Sequence, residues 1–144
     1  MSEDLPDVKA TILVYSDNRS VRDQVRFALG RRVAADLPEI EIVECATHQA
    51  VSKTLDRGGI DLVVMDGEAA PAGGMGVCRQ AKDETPNCPP VLLLVARVAD
   101  AWLATWSRAD GIVAYPIDPI RLPAVAADLL RARLEIEEIE ASVL

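Results

Sequence analysis

Five short apolar runs alternate with segments of helical periodicity along this chain, and that alternation is what most narrows the folds open to it. The runs are Thr11–Tyr15, Ile40 with Ile42 to Cys45, Ile60–Asp66, Pro90–Val95 and Gly111–Ala114. Between them, Val21, Val25, Leu29 and Val33 keep helical spacing from Ser20 to about Leu37, with Ser20 or Asn18 as N-cap and Pro38 as the stop. His48 to Arg57 reads as a second helix stopped by Gly58 and Gly59, Gly76 to Glu84 as a third, and Asp100 to Ala109 as a fourth. A fifth begins after Pro119 or Pro123 and runs towards Glu140.

The third and fourth runs are apolar on both faces, as strands must be when helices cover a parallel sheet from both sides. Short loops and right-handed crossovers then give an α/β fold: a flavodoxin-like, doubly wound (βα)5 three-layer sandwich with sheet order 2-1-3-4-5. Such sheets place their chemistry at the strand tips beside the point where the winding reverses, here between strands 1 and 3. That brings Ser16 and Asp17 beside Asp66.

Composition removes several functional classes. A net charge of −8 disfavours nucleic acid and anionic membranes as partners. No apolar run approaches the ~20 residues that span a bilayer. The first residues lack the basic and apolar regions of a signal peptide, and we expect a cytoplasmic protein. Cys45, Cys78 and Cys88 share no metal-binding spacing, and His48 is the one histidine, so no zinc site can be assembled and the thiols read as core filler. Gly67, Gly73, Gly74 and Gly76 match neither phosphate-loop nor dinucleotide fingerprints and read as a flexible loop. No nucleophile–base pairing is readable, so an enzyme is not expected.

Several motifs together resemble the receiver domain of response regulators. They are Leu13-Val-Tyr-Ser16-Asp17-Asn18, Val63-Val-Met-Asp66, the turn with Pro71 leading to Val77-Cys-Arg-Gln80, Leu92-Leu-Leu-Val95-Ala96-Arg97, and Ala109 to Pro119 with Tyr115-Pro116. The resemblance covers about residues 9–131 and leaves 132–144 as an acidic extension of the last helix. It implies that Asp66 is the phosphoacceptor position and that Asp17, Asp66 and Glu68 are weak candidates for holding Mg²⁺. It also implies that the Tyr115–Pro116 bond aligns with one commonly cis.

Three positions depart from that family's pattern. Ser16 replaces the first acidic residue, Val95 the hydroxyl residue of strand 4, and Tyr115 the lysine of strand 5. The strand 5 switch aromatic is also missing, with Ile112 three residues before Tyr115. Valine cannot hydrogen-bond a phosphoryl oxygen, and a neutral tyrosine donates a single hydrogen bond. Tyr115 either bonds Asp66 in the lysine's place or is a partly exposed ring. Asp17 either caps helix 1 or ligates metal, Glu68 faces solvent or adds a ligand, and Ser16 is a small residue at a crowded tip.

The resemblance therefore implies an atypical, single-domain response regulator that acts by protein–protein contact, largely independent of Asp66 phosphorylation. Two alternatives stay open: a conventional Mg²⁺-dependent aspartyl-phosphate receiver served by a sensor histidine kinase, and a small-molecule binder at the switch-point cleft. Trp102 and Trp106 lie one helical turn apart and either cover the sheet or mark an interface. Leu134, Ile136 and Ile139 make the acidic extension amphipathic or leave it a frayed tail. Together these residues suggest a homodimer through helices 4 and 5.

Overall fold

The computed structural model describes residues 8–97 and 101–143. Its strands are β1 (Ala10–Tyr15), β2 (Ile40–Cys45), β3 (Leu62–Asp66), β4 (Val91–Val95) and β5 (Gly111–Ala114). They form one parallel sheet in the order β2-β1-β3-β4-β5, as expected from the alternating pattern. The helices are α1 (Arg19–Leu29), α2 (His48–Arg57), α3 (Gly74–Glu84), α4 (Ala101–Ser107) and α5 (Arg121–Val143). Asp100, the expected first residue of the fourth helix, lies outside the described residues.

Period-two alternation inside buried strands splits the core into two layers. Leu62 and Val64 of β3 point to the side covered by α1 and α5, where they meet Val25, Leu29, Leu122, Ala126 and Leu130. Val63 and Met65 point to the opposite side, with Val51, Leu55, Val77 and Cys78 of α2 and α3. Leu92 and Leu94 against Leu93 and Val95 repeat the division in β4. The register pairs Asp66 with Leu94 and Tyr15 with Met65, which sets the tips of β1 and β3 side by side.

Helix ends follow local chemistry. Asn18, not Ser20, caps α1: its side-chain oxygen accepts the Ser20 N–H at 2.9 Å. Thr47 caps α2 in the same way through the Ala50 N–H. Asp118 accepts the Ile120 and Arg121 N–H groups at 2.7 and 3.2 Å ahead of α5. Pro123 falls in the first turn of α5, where its missing N–H has no intrahelical partner to lose.

α1 is about two turns shorter than its apolar spacing predicts. Gly30 adopts φ 65°, and its N–H returns to the Arg26 carbonyl, so the chain leaves the helix there rather than at Pro38. Val33 and Leu37 still join the core, but from an irregular segment. The last helix, by contrast, continues unbroken to Val143, so the extension is helical rather than frayed.

Candidate functional site

Asp66 ends β3 with its carboxylate almost sealed from solvent, 3% exposed. Both of its oxygens are occupied. Oδ2 accepts the Ser16 hydroxyl at 2.7 Å. Oδ1 accepts the Glu68 backbone N–H at 2.9 Å and the Tyr115 hydroxyl at 2.8 Å. A buried carboxylate needs such donors, and three of them compensate much of the cost of removing it from water.

Each donor is itself positioned. Ser16 is fully buried at the tip of β1, its Oγ accepts the Asn18 N–H at 3.1 Å, and its carbonyl accepts Arg22 Nη1 at 2.7 Å. Arg22 also forms a fork with Arg26 onto Glu44, which draws the Glu44 carboxyl below its ordinary range. Tyr115 follows β5; its N–H donates to the Val95 carbonyl, and its ring joins the core layer under α1 and α5. The Tyr115–Pro116 bond is cis, as the resemblance implied; Ala70–Pro71 is cis as well.

The β3–α3 loop closes over this tip. Tyr15 donates from its hydroxyl to the Ala72 carbonyl at 2.5 Å, and Asp17 Oδ1 accepts the Ala70 N–H at 3.1 Å. Asp17 therefore ties down the loop; the cap of α1 belongs to Asn18. Two of the loop's glycines are close-approach residues rather than marks of flexibility. A Cβ at Gly67 would lie 2.5 Å from the Leu94 carbonyl oxygen, and one at Gly74 would lie 2.5 Å from that of Asp66. Gly76 has open space around it.

Among the described residues no group of three or more His, Cys, Asp or Glu side chains could hold a cation. Both Asp66 oxygens face donors, Asp17 faces a backbone amide, and Glu68 is exposed. Mg²⁺ commonly binds through one or two carboxylates with water completing its shell, and Asp66 and the exposed Asp17 are the side chains of this tip that would supply them.

Val95 is fully buried on the α2–α3 side, and Ile112 packs half-buried against the same layer. Neither offers a polar atom to the tip. Trp102 and Trp106 do not cover the sheet: they are 68% and 49% exposed. Arg79 of α3 lies over the Trp106 ring at 4.8 Å and donates to the Trp106 carbonyl at 2.7 Å. Leu134 packs, half-buried, on the inner layer, whereas Ile136 and Ile139 are 52% and 56% exposed. The cysteines are buried or half-buried, and burial pushes the Cys78 thiol up to about 11. A cavity of about 430 Å³ lies between α1 and Ile117–Pro119, lined by Phe27, and not over Asp66.

Sequence reasoning left Ser16 without a role and Tyr115 undecided; the hydroxyl each carries was the available signal. Burial pushes the Tyr115 hydroxyl well above its ordinary value of 10.0, and its hydrogen bond to Asp66 acts in the same direction. A folded value above the unfolded one means that the contribution is complete below pH about 10 and is lost as pH rises through the folded value. Thermal unfolding across alkaline pH is therefore expected to show a steeper loss of stability above pH about 10 for the native chain than for Tyr115→Phe. Tyr15, raised mainly by burial, is common to both proteins and cancels in the comparison. Equal slopes would remove Tyr115 from the pin on Asp66.

No protein-family model matches the chain. It is 54% identical over 121 residues to the Mycobacterium tuberculosis protein named uncharacterized response regulatory protein Rv3143, covering 84% of this chain and 91% of that protein. Among solved structures it is similar to the receiver domain of Francisella response regulator 1452, with TM-score 0.73, 14% identity, and coverage of 86% of this chain and 98% of that one. It is also similar to a CheY-like receiver domain protein from Methanospirillum hungatei JF-1, with TM-score 0.70, 16% identity, and coverage of 89% and 98%. At these identities the structural likeness concerns the fold.

Proposed function

As a member of the response-regulator family, with its receiver fold, this chain has a place in signal transduction, and we propose that it signals through protein contact while Asp66 serves as a structural pin rather than a phosphate acceptor. One observation carries the reading: the Ser16 and Tyr115 hydroxyls, which stand at two positions departing from the family pattern, donate to opposite oxygens of the Asp66 carboxylate. An attacking carboxylate oxygen needs a free lone pair and a counter-cation beside the phosphoryl group. Here three of the roughly four lone-pair sites face donors, and among the described residues no group of three or more acidic, His or Cys side chains gathers beside them.

The readout is altered too. A ligand shifts a two-state equilibrium only through contacts that differ between the states. With Val95 and Tyr115 at the two contact positions, a phosphoryl group on Asp66 would meet a methyl surface and a phenol. Output then passes through exposed surfaces, of which the Trp102–Trp106 face of α4 is one suited to a protein partner. No described helix is long and apolar enough to cross a membrane, and we place the protein's action in the cytoplasm.

The test is amide NMR of the protein mixed with Mg²⁺ and beryllofluoride, a mimic of the aspartyl phosphate. Unchanged spectra, or shifts confined to the surroundings of Asp17 and Asp66, are expected. Shifts reaching β5 and α4 would restore a conventional phosphoacceptor, the second reading, which rests on the position of Asp66 at the tip of β3.

A further inference from the structure

Beyond Leu130, α5 has little of the domain left to pack on, yet its apolar residues do not stop. Leu129, Ala132, Ile136, Ile139 and Val143 recur at alternating steps of three and four, the spacing of a two-helix seam. This stripe is rotated away from the core-facing line of Leu122, Ala126 and Leu130. Leu129 is half-buried and Ala132 exposed, and Ile136, Ile139 and Val143 are 52%, 56% and 79% exposed. The stripe covers about 21 Å of helix at ~1.5 Å per residue. We propose that it pairs with the same stripe of a second copy of this chain, the two helices running antiparallel about a twofold axis near Ile136 and Ile139.

Charge selects the direction. In a parallel, in-register pair, Glu135 would face Glu140 of the partner subunit on both sides of the seam, a repulsion written twice. In the antiparallel pair, Arg133 faces Glu140 of the partner subunit, and the carbonyl end of each helix lies beside the other's Arg133. The Arg133 side chain is 15% exposed, and its buried Nε has no hydrogen-bond partner within the chain. Its guanidinium makes one contact to Glu137 at 3.2 Å and two long ones to Asn87 at 3.4 and 3.3 Å, out of five available donors.

Shape agrees with charge. An antiparallel pair centred between Ile136 and Ile139 sets Val143 of the partner subunit against Ala132. A groove of about 320 Å³ opens there, its apolar wall formed by Leu129, Ala132, Ile136 and Pro90 with Cys88, and its polar wall by Asn87, Arg133 and the Lys82–Asp110 pair. Each helix tip thus enters the groove at the base of the other copy, while the two domain bodies stay at opposite ends of the seam. α4 takes no part, so the seam leaves Trp102 and Trp106 open to a different protein. The dimer suggested for helices 4 and 5 is in this way narrowed to α5.

Sedimentation equilibrium and directed disulfide formation test the pairing. The native chain is expected to dimerise at micromolar concentration. Ile136→Glu combined with Ile139→Glu is expected to weaken association by at least about tenfold, since each places a charge in an apolar seam. Both positions are exposed in the single chain, so far-UV circular dichroism of the variant is expected to match the native protein. In a Cys88→Ser background, Ala132→Cys mixed with Val143→Cys is expected to give a mixed disulfide, and Val143→Cys alone none. A native monomer, association indifferent to the two glutamates, or a Val143→Cys self-disulfide would each overturn the antiparallel pair.

Discussion

Asp66→Ala is expected to lower the unfolding free energy by about 3 kcal/mol, an unusually large loss for removing a charged side chain from an acidic protein. The reason is what remains. The Ser16 hydroxyl, the Tyr115 hydroxyl and the Glu68 N–H all point at the vacated place, and Ser16 is fully buried. A buried donor left without a partner costs about 1–3 kcal/mol. Asp66→Asn is expected to cost about 1 kcal/mol, because its carbonyl can keep the two Oδ1 bonds and the Ser16 hydroxyl can turn to accept from the new amide. Urea unfolding with an unchanged m value is the measurement. If the carboxylate instead sat in a cluster of unneutralised acids, removing it would relieve repulsion and the alanine variant would be as stable as the native chain or more so. That outcome would end the description of Asp66 as a pin.

The second large effect is a gain. Ser16→Asp, Val95→Thr and Tyr115→Lys together are expected to let acetyl phosphate label Asp66, whereas the native chain is expected to stay unlabelled. Each change supplies a missing part: a second carboxylate for a cation, a hydroxyl to meet the phosphoryl oxygen, and an ammonium to pair with the charge. Val95→Thr nearly preserves volume in a fully buried position, although its hydroxyl is useful there only once it has a partner. The two carboxylates of the variant repel each other until a cation binds. Its stability is therefore expected to rise with Mg²⁺, by about 2.7 kcal/mol at a hundredfold excess over the dissociation constant, while the native chain does not respond. Intact-mass analysis reads the label, and thermal unfolding reads the cation. Labelling of the native chain to the same extent would mean that Ser16 and Tyr115 impose no barrier.

Much of the fold was legible because parallel strands buried on both faces advertise themselves. Leu62 to Asp66 and Val91 to Val95 are uninterrupted in burial, and their order follows from the winding rules. The end of α1 was not legible from periodicity. Val33 and Leu37 keep apolar positions in the core without helical hydrogen bonds, so the pattern outlasts the helix, and only Gly30 marks the break. The position of Asp66 could be read from the strand it ends, but its state could not. Whether a hydroxyl one strand away donates to a carboxylate depends on register, and Ser16 and Tyr115 lie 50 and 49 residues from Asp66 along the chain. The direction of the tryptophans was undecidable for a related reason: a pair one turn apart defines a face, and nothing local says which way the face turns.

The last turn of α4 is tied to α3. Arg79 grips the Trp106 carbonyl, and Arg108, with φ 67° just past the helix, reaches back to Asp83 at 2.6 Å. Both attachments run to α3, and both engage the last turn. A partner that seized the Trp106 indole would therefore pull on α3 through two side-chain anchors at once, and α3 follows directly on the loop that closes over Asp66.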